Sequence, residues 1–330
     1  MHPGAGFHTS PAISVIIPAF NRPSELRLCL EGFASQTTPS NQFEVVVVDD
    51  GSTVELQSAT SGFAGILNLQ FIRIPHGGPG AARNAGIKRA NAPLLILYDD
   101  DQRPLPDLVA YCIAFHRNHP LEHDTALLYF EIDPAVATSP FARWAFEKLY
   151  PFPREVGTGG WNLFWTGTLT CKKCLFRHGE FDSSYKMLED AELGLRLSSH
   201  LDLRVHFEPH LTGTMIRQLG LEQFCRRQYM LGYFTHVFAR QYRGTVDFTF
   251  PPYGQPERYF MRDRGRLAAL LAAARFDGGN DGASKLLRAA WSTLDLQVRA
   301  EGWMTACDGR PPDPPGTLGL LLLKPTASVA

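Results

Sequence analysis

Four apolar runs set the plan of the first hundred residues: ISVIIP (13–18), FEVVVV (43–48), LQFIRI (69–74) and PLLILY (93–98). Runs that are continuously apolar, rather than alternating, are strands buried on both faces. The stretches between them carry helix signals. Pro23 opens a helix through about Ala34, because proline suits a first helical turn. GGPGAARNAGIKRA (77–90) reads as a Gly-rich turn leading into a second helix. Strands alternating with helices specify an α/β fold, a parallel sheet covered by helices on both faces. Ligands of such sheets bind outside the carboxyl ends of the strands. Asp49–Asp50 ends the second run and Asp99–Asp100–Asp101 ends the fourth, so both acidic clusters project into one crevice.

The rest of the chain is less regular. Residues 106–119 read as a helix and ALLYFEI (126–132) as extended. From 140 to about 215 the pattern is mixed and rich in aromatics and glycine, ending with LEDAELGLRLSSH (188–200), a helix with acids in its first turn. Helices are expected at 219–242, 256–275 and 283–300, around a Pro/Gly-rich joint at 244–256. This divides the chain into an α/β domain over 1–215, with a regular half over about 12–130 and a mixed half over about 131–215, and a helical extension over 216–330.

The formal net charge of -1 leaves no basic excess for nucleic acid and no acidic solvating tail. Cysteines 29, 112, 171, 174, 225 and 307 are dispersed, as reduced thiols are. CKKC (171–174) has no second pair for zinc, and His178 alone does not complete a site. The N-terminus MHPGAGFHTSPA lacks a basic and apolar signal pattern, and LGLLLL falls far short of the ~20 residues of a membrane span. The expectation is a cytoplasmic protein, with peripheral membrane contact left open.

Adjacent carboxylates repel one another and resist burial. A divalent cation makes such a cluster tolerable. All-oxygen ligands favour Mg²⁺ or Mn²⁺, which commonly use one or two carboxylates plus substrate phosphates. The natural partner is a nucleotide diphosphate.

ISVIIPAFNR, EVVVVDDGS, GGPGAARNAGI, LLILYDDDQRPLP and MLEDAELGLRL occur in this order. Together, over roughly residues 12–215, they resemble the family-2 glycosyltransferases. That resemblance implies a GT-A fold, a Rossmann-like nucleotide-binding sheet with helices on both faces. It implies an inverting, metal-dependent transfer of one sugar from a nucleotide-diphosphate sugar, UDP being the commonest carrier in the family. By position it puts Pro18, Ala19, Phe20 and Asn21 around the base, with Asp50 as its hydrogen-bond acceptor and Asp49 close by. Turn capping is the other role open to Asp50. The DxD falls on Asp99 and Asp101: Asp101 is the direct metal ligand, Asp99 completes the motif, and Asp99 or Asp100 lies near the ribose. The family often has a further Asp where this chain has Gln102. Arg83 either faces the nucleotide or serves the helix start. FWTGTLT (164–170) matches the segment lining the donor sugar and diphosphate, which brings in Gly167 and Thr168. The family frequently has Asn at the position of Thr168.

The acceptor hydroxyl must lose its proton as it attacks, so a carboxylate base is needed opposite the leaving group. The resemblance offers Glu189–Asp190, with Asp190 as the base. Helical spacing puts Asp190, Leu193, Gly194 and Leu197 on one face, pointing inward. Glu189 has no assigned role, and Glu192 reads as solvent-facing. Trp161 and Trp165 either stack on a sugar or fill the core. His206 or His210 is a candidate to complete the metal or diphosphate site. QFCRRQYMLGY lacks the tryptophan of processive synthases, which leaves single-sugar transfer, of the hexosyltransferase type, to a carbohydrate, lipid-linked or small-molecule acceptor. The C-terminal helices, RLAALLAAARF among them, suit a dimer, an acceptor cover or a membrane surface. Two alternatives remain: an inactive nucleotide-sugar-binding or assembly subunit, and a nucleotidyltransferase of similar fold. A nicotinamide dehydrogenase is excluded by the missing GxGxxG.

Overall fold

A computed structural model describes residues 10–153, 157–245 and 281–312. The helix expected at 256–275 lies outside the described residues. The four apolar runs form β1 (Ile13–Ala19), β2 (Phe43–Asp49), β3 (Leu69–Arg73) and β4 (Leu94–Tyr98). Between and after them lie helices α1 (Pro23–Ala34), α2 (Gln57–Thr60), α3 (Pro79–Arg89) and α4 (Leu108–Asn118). Every residue of β1 and β2 is buried, as continuous hydrophobicity requires.

Successive side chains of a strand point to opposite faces, so the sheet builds two cores at once. Ile13, Val15, Ile17, Val45 and Val47 pack with Leu26, Leu30 and Phe33 of α1 and Val109 and Cys112 of α4. Ile16, Val46 and Val48 pack on the other side with Ala82 and Ile87 of α3. That second core also holds Leu193 and Leu197 of α6 (Glu189–His200). Each such side chain contributes roughly 1.5–3 kcal/mol on burial, and this pins β1 between its neighbours.

The strands are not all parallel. Beyond β4 come β5 (Gln102–Pro104), β6 (Asp124–Ile132), β7 (Gly157–Gly159), β8 (Thr168–Lys172) and β9 (Arg204–Met215). The sheet order is β3-β2-β1-β4-β8-β6-β9-β5, with β7 on β9. Strands β1–β4 pair in parallel, as does β6 with β9, but β8 enters antiparallel between β4 and β6. The expectation of a parallel sheet therefore holds for the first half only. An antiparallel strand needs no crossover helix. Its pairing sets Tyr98 of β4 beside Thr168, so the start of β8 lies against the acid cluster.

The chain divides into two compact units, one of Met1–Ala137 with Tyr150–Arg217 and one of Thr138–Leu149 with Gln218–Ala330. Helix α5 (Pro140–Leu149) thus goes with α7 (Leu221–Gln241) and α8 (Asp281–Cys307), rather than with the mixed half where the sequence set it. The reason is apolar: Phe141 and Trp144 bury against Phe224 and Trp291. Helix α8 also runs past the expected 283–300. Among the described residues no helix is long and apolar enough to cross a membrane.

Helix α3 sits tightly on the sheet. A Cβ on Gly86 would lie 2.4 Å from Ile16 Cγ2 and 3.1 Å from Val48 Cγ2. Both are β-branched side chains fixed by the strands. Gly86→Ala should therefore destabilise the fold by about 1–2 kcal/mol, overpacking exceeding the gain in helix propensity. Urea titration checks this; an equal or higher midpoint would show that α3 can lift without cost.

Candidate active site

The carboxyl ends of β1, β2 and β4 open on one side of the sheet. At the first two, polar side chains tie loops to each other. Asn21 adopts a positive φ of 56°, which asparagine tolerates better than most residues. Its Oδ1 accepts hydrogen bonds from Thr53 N at 2.8 Å and Val54 N at 3.4 Å. Its own N–H donates to Ser52 Oγ at 2.9 Å. Asp49 accepts from Ser52 N at 2.8 Å and pairs with Arg73 at 3.4 Å.

Asp50 is 4% exposed, and its two oxygens accept from Gly77 N at 2.7 Å and Gly78 N at 2.9 Å. Its Oδ2 also lies 2.9 Å from His76 Nδ1. The carboxylate is thus committed to the turn before α3. In the chain alone these bonds hold the turn before α3 rather than Asp50's own turn. Asp50 also holds in place His76, which stacks on Phe20 with ring centroids 4.5 Å apart. Pro18 and Ala19 lie within β1, and Ala19 is buried. The aromatic surface at this strand end is therefore the Phe20–His76 pair, and the histidine was missed because nothing in RIPHGGPG marks it.

The three aspartates after β4 have three different environments. The Asp99 side chain is 32% exposed. Asp100 is fully buried, so it is not available to a ribose; of the two, Asp99 reaches the surface. Burial, reinforced by the neighbouring Asp101 and Asp99, pushes the Asp100 carboxyl well above the ordinary range against the pull of Arg22. Asp101 Oδ2 receives Arg22 Nη1 at 2.5 Å and Arg217 Nη1 at 3.0 Å. Arg22 Nη2 also lies 3.0 Å from Asp100. Burial lowers the pKa of Arg22, but the charges of Asp101, Asp100 and Asp99 outweigh it and raise the pKa. Asp101 Oδ1 is buried without a hydrogen-bond partner.

Arg83, on α3, joins this cluster to the next. It is 4% exposed. One terminal nitrogen donates to Asp99 Oδ1 at 2.8 Å and the other to Glu189 Oε1 at 2.8 Å. Of its two expected roles, nucleotide contact or helix start, the geometry gives a third, an internal strut. Helix α6 starts at Glu189 because Leu188 before it takes a left-handed φ of 65°. Burial and the charge of Asp190 push Glu189 up to about 7, against the pull of Arg83. Asp190 is half-buried, and its oxygens accept from Ala191 N at 2.8 Å and Thr166 N at 3.4 Å. Leu193, Gly194 and Leu197 are buried beneath it. Glu192, read as solvent-facing, is 1% exposed and pairs with Arg196 at 2.6 Å.

The start of β8 closes the site. A Cβ on Gly167 would lie 2.8 Å from Asp99 Oδ2, so only glycine lets the strand approach this closely. The Thr168 hydroxyl is buried and donates to Gln102 Oε1 at 2.7 Å. Gln102 Nε2 in turn donates to Gly167 O at 3.2 Å. Trp161 and Trp165 are half-buried; Trp165 donates from Nε1 to Asn162 O at 2.7 Å and packs against the second core.

The two histidine candidates sit elsewhere. His206 lies 3.2 Å from Asp124, beside the His119 ring. His210 lies 2.7 Å from Asp107 and stacks on Tyr111. Both are drawn off by carboxylates other than those of residues 99–101. All six cysteines are free thiols. A cavity of about 790 Å³, lined by Lys88, Lys173 and Arg177 among others, lies by Leu94, at the start of β4 and so at the far end of that strand from Asp99.

The Glu189 shift has a measurable sign. Between about 4.5 and 7 the folded chain keeps a proton that the unfolded chain releases. Stability contributed by this group is full below that window and is lost as pH rises through it. Glu189→Gln keeps an acceptor for Arg83 and should flatten the fall of the urea midpoint between those pH values. An unchanged slope would show that Glu189 titrates normally.

The sequence pattern of the family described as Glycosyl transferase family 2 matches residues 14–160. Validoxylamine A glucosyltransferase from Streptomyces hygroscopicus subsp. limoneus is 31% identical over 227 residues, covering 60% of this chain and 50% of that protein. Glycosyltransferase AglE from Haloferax volcanii is 37% identical over 98 residues, 29% of this chain and 32% of that protein. The mannosyltransferase PcManGT from Pyrobaculum calidifontis, solved with GDP-Man and Mn²⁺, superposes with a TM-score of 0.57 at 18% identity, covering 92% of this chain and 89% of that one. S. aureus TarS 1-349, solved with UDP-GlcNAc, superposes with a TM-score of 0.52 at 17% identity, covering 90% and 92%. At those identities the superpositions speak for the fold. The chain spans about half the length of the validoxylamine relatives it matches. Residues 14–160 thus carry the pattern of glycosyl transferase family 2, and the sheet has the GT-A arrangement of the solved structures it superposes on.

Proposed function

We propose that this protein is an inverting glycosyltransferase that moves one sugar from a nucleotide-diphosphate sugar to an acceptor hydroxyl. One observation carries the reading. Arg83 ties the acids at the end of β4 to the acids at the start of α6, with Gly167 against Asp99, so two carboxylate groups of different task are held in one cluster. The Phe20–His76 stack, at the neighbouring strand end, offers the base a flat aromatic face. Solved structures of the same fold hold UDP-GlcNAc, and GDP-Man with Mn²⁺, which supports a nucleotide-sugar donor and a divalent cation.

The residues present fit that cation. Asp101 Oδ1 is a buried oxygen without a hydrogen-bond partner, and Asp99 offers a partly exposed carboxylate. Magnesium and manganese commonly take one or two carboxylates and complete their shell with phosphate oxygens and water. Asp101 and Asp99 are the residues that would hold it, and when bound it would stabilise the charge on a departing diphosphate.

The remaining task falls to Asp190. As the acceptor oxygen bonds to the anomeric carbon and the bond to the diphosphate breaks, the hydroxyl proton passes to its carboxylate. Asp190 stands in the first turn of α6, where a helix N-terminus attracts negative charge. Asp190 Oδ2 makes one long hydrogen bond, to Thr166 N at 3.4 Å, and so retains lone pairs for an acceptor. The relatives' names carry different acceptors, validoxylamine A and poly(ribitol-phosphate), so the acceptor is assigned by class, as a hydroxyl.

Calorimetric titration of UDP, GDP and dTDP, with Mn²⁺ and then with EDTA, tests the donor half. One nucleotide should bind in a metal-dependent way; binding of none would refute the reading. Asp101→Asn should abolish that metal dependence. Asp190→Asn should keep nucleotide affinity while turnover falls by about 10²–10⁴, the usual worth of a positioned base. Near-normal turnover in that variant would move the base to another residue.

A further inference from the structure

The sequence assigns no role to Arg22 or Arg217, yet both guanidiniums converge on one oxygen of Asp101, at 2.5 and 3.0 Å. The other oxygen of that carboxylate, Oδ1, is buried and has no hydrogen-bond partner. Two cations therefore crowd one side of the carboxylate proposed above as the metal ligand. A divalent cation there would be repelled by both. Either the arginines leave Oδ2 or the cation binds weakly.

Their surroundings allow them to leave. Arg83 is enclosed, with its side chain 5% exposed; Arg22 also meets two acids, Asp101 and Asp100, but from a more open position. Arg22 and Arg217 are each 28% exposed along the side chain, on the solvent side of the cluster. Their main chains are anchored close by. Arg22 immediately precedes the first turn of α1, with its carbonyl accepting from Leu26 N at 3.0 Å. Arg217 follows β9, and Ile216 N next to it donates to Asp101 O at 3.0 Å. Long side chains on fixed roots can swing without moving the fold. A planar guanidinium is suited to the paired oxygens of a phosphate as well as to a carboxylate.

We propose that Arg22 and Arg217 are a displaceable counter-ion for Asp101. In the chain alone they neutralise the carboxylate. When metal and donor arrive they turn from Asp101 to the diphosphate oxygens, which carry the charge they gave up. This rests on the metal-dependent reading above, and it adds that the arginines oppose metal binding by itself while favouring the nucleotide bound with metal.

The test uses Mn²⁺ alone, followed by the free-ion signal in electron paramagnetic resonance, and then UDP and GDP at saturating Mn²⁺. Arg217→Gln and Arg22→Gln should each bind Mn²⁺ alone several-fold more tightly than the parent, on the order of three- to tenfold for one lost cation near the surface. The same variants should bind the nucleotide about tenfold more weakly in Mn²⁺, as expected for a lost charge-assisted phosphate contact. Arg217→Lys retains a cation, so it keeps the parent's Mn²⁺ affinity but loses part of the nucleotide affinity; thermal melting confirms that each variant is folded. Asp101→Asn separates the two ideas. If it leaves Mn²⁺ affinity intact, the metal reading itself fails. If it removes Mn²⁺ binding while both Gln variants match the parent for metal and nucleotide, the counter-ion proposal alone is overturned.

Discussion

The site depends on the buried guanidinium of Arg83. It reaches Asp99, sixteen positions away in sequence, and Glu189, 106 positions away. Those partners lie at the end of β4 and in the first turn of α6. Removing one member of a buried ion pair commonly costs about 3–5 kcal/mol, because the charges left behind stay buried. Here two carboxylates would be left. The position of Arg83 is set by α3, which lies close on the sheet because Gly86 lets Ile16 and Val48 come up against it. Apolar packing of one helix thus fixes the distance between two acidic clusters.

The rest of the site follows from balancing charge. Asp99, Asp100, Asp101, Glu189 and Asp190 face Arg22, Arg83 and Arg217. The excess acid shows as raised pKa values: burial pushes Asp100 well above the ordinary range and Glu189 to about 7. Asp100 and Glu189 are the buried members of their groups, whereas Asp99 and Asp190 reach the surface. Each acidic cluster therefore pairs a buried acid with one that reaches the surface.

Strand ends carried most of what the sequence made legible. A continuously apolar run fixes a buried strand, and an acid straight after it has one place to go, the mouth of the sheet. For that reason Asp49, Asp50 and the triple aspartate were located before any coordinates, and so was the inward face of α6 through Asp190, Leu193, Gly194 and Leu197. Strand β8 was not read as a strand, because TLTCK is a short stretch inside a mixed pattern and carries no sign of the antiparallel pairing that places it. Arg22 and Arg217 were missed because their partner Asp101 lies 79 and 116 positions away. Asp50 was visible as a residue but not as a contact: that it grips Gly77 and Gly78 depends on how α3 enters the fold.

The two places where the chain departs from the family pattern, Gln102 and Thr168, are in contact. Thr168 donates to the amide oxygen of Gln102, and the amide nitrogen donates to Gly167 O. That same carbonyl accepts from Asp99 N at 3.0 Å. A carboxylate at position 102 could accept from Thr168 but would have no proton for Gly167 O, and two acceptors would face each other in a fully buried place. Glutamine resolves this, and threonine supplies the hydrogen that its amide oxygen needs. The two positions therefore depend on each other. Their pairing keeps Gly167 seated against Asp99, where its missing side chain leaves room for that carboxylate.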